Sequence, residues 1–152
     1  MLTIGQLLKA TSPEVIRNIS RYHLDLAHTK LDSNEHGSHI LIVAVVSGGE
    51  QPQKCSIRVF DKHISIKSTC FVYCSCKMFI NKVEVALAAQ GSASIINATQ
   101  KLPTKMNPKL LPGICPHLLV VIKASLLAEQ QKQEQQKQQK VAPISPKLKK
   151  NR

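Results

Sequence analysis

The sequence predicts an α+β domain, and three observations carry that reading. Apolar residues recur at helical spacing near the N-terminus, a β-branched run and an alternating run follow between turn signals, and two Cys/His pairs tie the middle of the chain to a closing helix. The expected order is two N-terminal helices, a three-stranded antiparallel meander, a helix, a long loop and a closing helix, with a structural zinc site joining strand to helix.

Leu2, Ile4, Leu7 and Leu8 have the spacing of a short amphipathic helix. Thr11 or Ser12 can cap a second one, Pro13 fits its first turn, and Glu14 suits its positive end. Ile16, Ile19, Tyr22, Leu24 and Leu26 approximate one face, so this second helix is expected to run to about His28, with Asp32 to Ser38 a turn-rich linker. His39 to Val46 is nearly continuous in Ile, Leu and Val and predicts a strand buried on both faces or at the sheet centre. After the turn Gly48 to Pro52, Ser56 to Phe60 alternates as a second strand. Asp61-Lys62 then turns into a third, with Ile64, Ile66, Ser68, Cys70, Val72, Cys74 and Cys76 on one face.

Met78 to Gln90 favours helix and Gly91 is a natural stop. Ser92 to Pro112 is a long, proline-punctuated loop, for which Ile95 and Ile96 are the expected anchors. Pro116 opens the closing helix, whose expected buried face is Leu118, Leu119, Val121, Ile122, Ala124, Leu126 and Leu127. Beyond Ala128 the apolar stripe ends, so residues 1–128 form the predicted domain and residues 129–152 a Gln/Lys-rich basic tail, extended or helical. That tail is either a solvated terminus or an arm that orders against an acidic or polyanionic partner.

Cys74 and Cys76, two apart on a strand, point to one face. Cys115 precedes the closing helix and His117 lies in its first turn. Buried cysteines often only pack, but two such pairs together make a closed set of three thiolates and an imidazole. With no position left open for water, that is a structural zinc site. The pattern Cys-x-Cys, a long insert, then Cys-x-His leading into the hydrophobic run Leu118 to Ile122 resembles a SWIM-type zinc finger. The runs Tyr73 to Phe79 and Asn107 to Leu119 are similar to small SWIM-like proteins of tailed bacteriophages, over a core of about residues 55–125. Pro116 stands where the family often has a basic residue, and the insert is long. The resemblance implies a virion or virion-assembly component, found in the particle or in the host cytoplasm during assembly, that contacts neighbouring protein subunits.

Aromatic residues are 3% of the chain and Trp is absent, so its core must rest on Ile, Val and Leu, and a metal pinning distant segments would help it. Five cysteines, an odd number, with no charged, apolar leader in Met1 to Ala10, predict a reducing setting instead of a disulfide framework. Cys55 and Cys70 are spare thiols expected to pack, Cys70 sharing a strand face with Cys74. His23, His28 and His36 have no partner at metal spacing, and His39 and His63 begin strands and are expected at the surface. No phosphate loop, nucleophile elbow or close carboxylate pair is present, so the chain is expected to be neither an enzyme nor the binder of a small-molecule substrate. No apolar run reaches the roughly 18–20 residues of a membrane span.

The net charge of +12 implies attraction to polyanions or acidic partners. Lys101, Lys105, Lys109, Lys147, Lys149, Lys150 and Arg152 are the candidate contacts to a partner or, through the tail, to nucleic acid. The alternative function is therefore an intracellular DNA- or RNA-binding regulator. The apolar turn after His117 and the scarcity of aromatics argue against a groove-reading helix or a base-stacking platform.

Overall fold

A computed structural model describes residues 1–96 and 107–141. Helix α1 (Ile4–Ala10) starts in a capping box, in which Thr3 accepts from the Gln6 backbone and Gln6 reaches back to the Thr3 N–H. Helix α2 (Pro13–Arg17) is capped by Ser12, with Pro13 in its first turn. It does not run on to His28. A single 3-10 turn, Ile19–Arg21, delivers the chain into strand β1 (His23–Asn34), which pairs antiparallel with β2 (Gly37–Ser47).

The apolar positions of 24–31 suit a strand as well as a helix, and the partner decides between them. With a bulge between Leu24 and Leu26, Ala27, Thr29 and Leu31 fall opposite Ala44, Ile42 and Ile40. The backbone of β2 needs a pairing strand on each side, and the preceding segment supplies one. The expected linker contracts to a two-residue turn at Glu35 and His36, where the Asn34 side chain accepts from the His36 N–H at 2.8 Å.

The sheet therefore has four antiparallel strands, in the order β1-β2-β3-β4, with β3 at Gln53–Val59 and β4 at Cys70–Cys74. Strand β2 is internal but buried on one face only: Ile40, Ile42, Ala44 and Val46 are covered, while Val43 is 46% exposed. The last strand is shorter than predicted, because residues 64–69 form a loop and Cys76 lies beyond the strand end. The loop's carbonyls are taken by the N-terminus instead: Ile4 N–H donates to Ser68 O at 2.9 Å and Gly5 N–H to Ile66 O at 2.8 Å. Ile66 is consequently exposed and Ile64 buried. The outer edge of β4 is also covered, Cys70 N–H donating to Leu2 O and Val72 N–H to Ser92 O.

Past Cys76 the chain turns into a π-helical stretch, Phe79–Val83, that continues as α3 (Glu84–Ala89). Gly91, at φ 75°, ends it in the left-handed conformation that favours glycine. The side chains of Ile95 and Ile96 are exposed, while Ser92 and Ala93 are buried; Ile96 holds the chain through its backbone, its N–H donating to Glu84 Oε1 at 3.1 Å. Lys101 and Lys105 lie outside the described residues, as do Lys147, Lys149, Lys150 and Arg152.

Helix α4 (Pro116–Val141) packs along the sheet and touches all four strands. Leu118, Leu119, Val121 and Ile122 share one core with Ile42, Ala44, Ile57, Val59 and Val72. Leu127, expected in that face, is 55% exposed, because it lies one turn from exposed Lys123 on the outer face of the helix. The helix continues through the Gln/Lys run with side chains exposed from Gln130 to Gln139, except that Gln130's neighbour Glu129 is half-buried and bonds His63 at 2.8 Å. Among the described residues, no helix is long and apolar enough to cross a membrane.

Candidate metal centre

Two different local structures bring the paired residues together. Cys74 ends β4, directly opposite Cys55 of β3. The next residue leaves the ladder in a fixed way: Ser75 N–H donates to Lys54 O at 3.0 Å, and Ser75 Oγ accepts from Lys54 N–H at 3.0 Å. Ser75 also bonds Gln53 through its hydroxyl at 2.6 Å. Cys76 then sits at the mouth of the following helix, and its Sγ accepts from Phe79 N–H at 3.3 Å. An N–H aimed at the sulfur, at the positive end of a helix, favours a thiolate there.

The second pair is held by the returning loop and the start of α4. Asn107 donates from Nδ2 to Lys82 O at 2.7 Å and to Leu111 O at 2.8 Å, and its Oδ1 accepts from Leu111 N–H at 3.0 Å. This pins residues 107–111 to the π-helical segment. Gly113 to His117 are then buried, and Cys115 O receives Leu119 N–H at 3.1 Å, so Cys115 caps α4 with its backbone. Nothing in the residue pattern marked Asn107 beyond its Asn-Pro turn signal.

Cys74, Cys76, Cys115 and His117 are all buried, with one ligand atom of each lying within 4.8 Å of the others. A zinc tetrahedron with Zn–S bonds of about 2.3 Å has edges of about 3.8 Å, so side-chain rotations of about 1 Å complete it. Neither ring nitrogen of His117 has a hydrogen-bond partner among the described residues, although the side chain is 6% exposed. An imidazole left that way costs about 1–3 kcal/mol per unpaired group unless something takes its lone pair. Tyr22 packs edge-on against the same ring, with centroids 4.9 Å apart. Gly48, at φ 130°, lets the β2–β3 turn lie against Arg21 and Tyr22, where a Cβ would strike the Arg21 carbonyl oxygen.

The thiols set one another's protonation. Hydrogen bonds from Cys115, then Cys55 and Cys76, hold Cys74 far below its ordinary value of 9.0 despite burial. Burial, then hydrogen bonding to Cys74 and Cys76, pushes Cys115 well above it. A hydrogen bond with Cys115 pulls Cys76 down, but its bond to Cys74, burial and the Cys74 charge outweigh that and push it up to about 12. The cluster thus carries one negative charge readily and resists a second and third. A cation at its centre removes that resistance.

The remaining candidates fall elsewhere. Cys70 is at the far end of β4, its Sγ 3.8 Å from Leu2 O, so sharing a strand face with Cys74 does not bring it to the cluster. Burial alone pushes its thiol up to about 12. Lys109 is exposed, on the rim of a cavity of about 340 Å3 lined by Met78, Lys82, Val83, Asn107 and Ile114. His39 faces Asp32 at 3.5 Å and His63 faces Glu129. No family model, curated protein or solved structure matches the chain. Fold and site together define an α+β protein, with one antiparallel sheet and a buried Cys3His cluster able to hold a metal ion.

Proposed function

We propose that the cluster holds a structural Zn2+ and that the chain is a non-catalytic, zinc-dependent interaction protein of SWIM-like type. The observation that carries the metal reading is the buried His117, both nitrogens unpartnered, beside three thiols. Three thiolates and an imidazole suit zinc, and a complete set of four leaves no coordination position for substrate. Elemental analysis of the purified chain should find one zinc per chain, and a chain that never carries metal overturns this reading.

A place in a phage particle or its assembly is the finer proposal. It is supported by the resemblance of residues 73–79 and 107–119 and by the exposed helical extension beyond Ala128, which offers a surface for neighbouring subunits. Mass spectrometry of purified particles should then find the chain at fixed stoichiometry. The net charge of +12 favours the competing reading, a nucleic-acid-binding regulator. Tight duplex binding that falls steeply with salt, together with absence from particles, would replace the first reading with the second.

A further inference from the structure

We propose that Cys55 and Cys74 are an oxidation site: a peroxide converts them to a cross-strand disulfide, and closure of that bond discharges the metal. The metal half of this proposal rests on the zinc reading above. Cys55 is one of two buried thiols outside the four-residue cluster, and its Sγ lies 3.7 Å from that of Cys74. The two residues are direct partners in the β3–β4 ladder. Directly opposed residues in an antiparallel pair have Cα atoms about 4.5–5.5 Å apart, inside the about 4.4–6.8 Å range of disulfides. Side-chain rotation alone can bring the sulfurs to bonding distance.

Cys76 and Cys115 also lie within 4.8 Å of Cys74, but both belong to the ligand set and are held by the metal, whereas Cys55 is outside that set and free to react with an oxidised Cys74. Cys70 is at the opposite end of β4. A cleft of about 430 Å3, walled by Tyr22, Gly49, Ser75, Cys76 and His117, reaches the cluster next to Ser75, the residue after Cys74; Cys74 and Cys55 are themselves buried and do not line it.

The step balances with peroxide as the oxidant. The Cys74 thiolate attacks one peroxide oxygen, the O–O bond breaks, and the departing hydroxide takes a proton from solvent, leaving a sulfenic acid on Cys74. Cys55 Sγ then attacks that sulfur. The S–S bond forms, the S–O bond breaks, and the leaving oxygen departs as water with the Cys55 proton. Two electrons pass from sulfur to oxygen. Cys74 no longer has a thiolate pair to donate, so the metal is left with two thiolates and an imidazole. A dithiol reductant reverses the bond.

The test treats the full, zinc-loaded chain with hydrogen peroxide. Released zinc is read with a chromogenic chelator, and disulfides are mapped by non-reducing peptide mass spectrometry, with fragmentation to tell Cys70, Cys74 and Cys76 apart. The expected result is a Cys55–Cys74 cross-link that grows in step with zinc release and is undone by dithiothreitol. Cys55→Ser, with Cys55→Ala as a second variant, should still bind zinc, lose the cross-link and release metal severalfold more slowly. A dominant Cys74–Cys76 or Cys76–Cys115 bond, or variants releasing zinc at the wild-type rate, overturns the proposal. If the chain carries no zinc, the metal reading fails separately, and the same mapping on the metal-free chain decides the disulfide by its presence or absence.

Discussion

Chelation of the metal, compared between the wild type and Cys115→Ala, measures what the cluster contributes to the fold. A metal shared by Cys76 and Cys115 closes a loop of about 40 residues, which on the chain-entropy treatment of cross-links removes about 4 kcal/mol of freedom from the unfolded state. Against a total stability of about 5–15 kcal/mol for such a domain, losing about 4 kcal/mol lowers the melting temperature by about 10 °C or more. The assay is thermal unfolding followed by circular dichroism, with and without excess chelator. The wild type should show the full gap. Cys115→Ala should melt near the chelated wild type and barely respond to chelator. A wild type that melts within a degree of itself in chelator, or a Cys115→Ala protein with an undiminished gap, would falsify the cross-link.

The remaining predictions concern protons, the loop and the turn. Cys76, pushed up to about 12, and Cys115, also raised, must both lose protons on binding, so metal affinity should fall roughly 100-fold for each unit the pH drops below about 12. Calorimetry in buffers of different ionisation enthalpy should count about two protons released per metal. Cys70 keeps its proton in the folded chain up to about 12 but loses it at about 9.0 when unfolded, so the stability it confers is intact below pH about 9 and declines from there towards 12. The full decline is up to about 4 kcal/mol, and Cys70→Ala should flatten that slope in denaturant titrations of the metal-loaded protein. Asn107→Ala removes the three bonds that pin the returning loop and should destabilise by about 1–3 kcal/mol in urea. Gly48→Ala places a Cβ against the Arg21 carbonyl at φ 130°, and should lower both stability and metal affinity by disturbing the Tyr22 wall on His117; unchanged affinity would detach that wall from the site.

The four residues of the candidate metal centre were legible in the sequence as a group, while the fold that brings them together was legible only in part. Cysteines and a histidine at short spacing announce themselves whether they sit on a strand, a turn or a helix. Cys76 joined the cluster even though it lies past the strand that was to carry it. The starts of the second helix at Ser12 and Pro13 and of the closing helix at Pro116 were equally readable, because a helix start is a local problem solved by nearby residues, whereas the Thr3 capping box went unread. What misled was the segment from Leu24 to Leu31, whose apolar spacing satisfies two periods and whose identity as β1 depends on the backbone needs of β2. Cys55 shows the same limit from the other side. In the chain it is an isolated thiol, and only the pairing of β3 with β4 sets it opposite Cys74. A residue's chemistry can be read locally, but its chemical neighbour is decided by register, and here the register sets a thiol that packs in the core, as expected, against the edge of the Cys3His cluster.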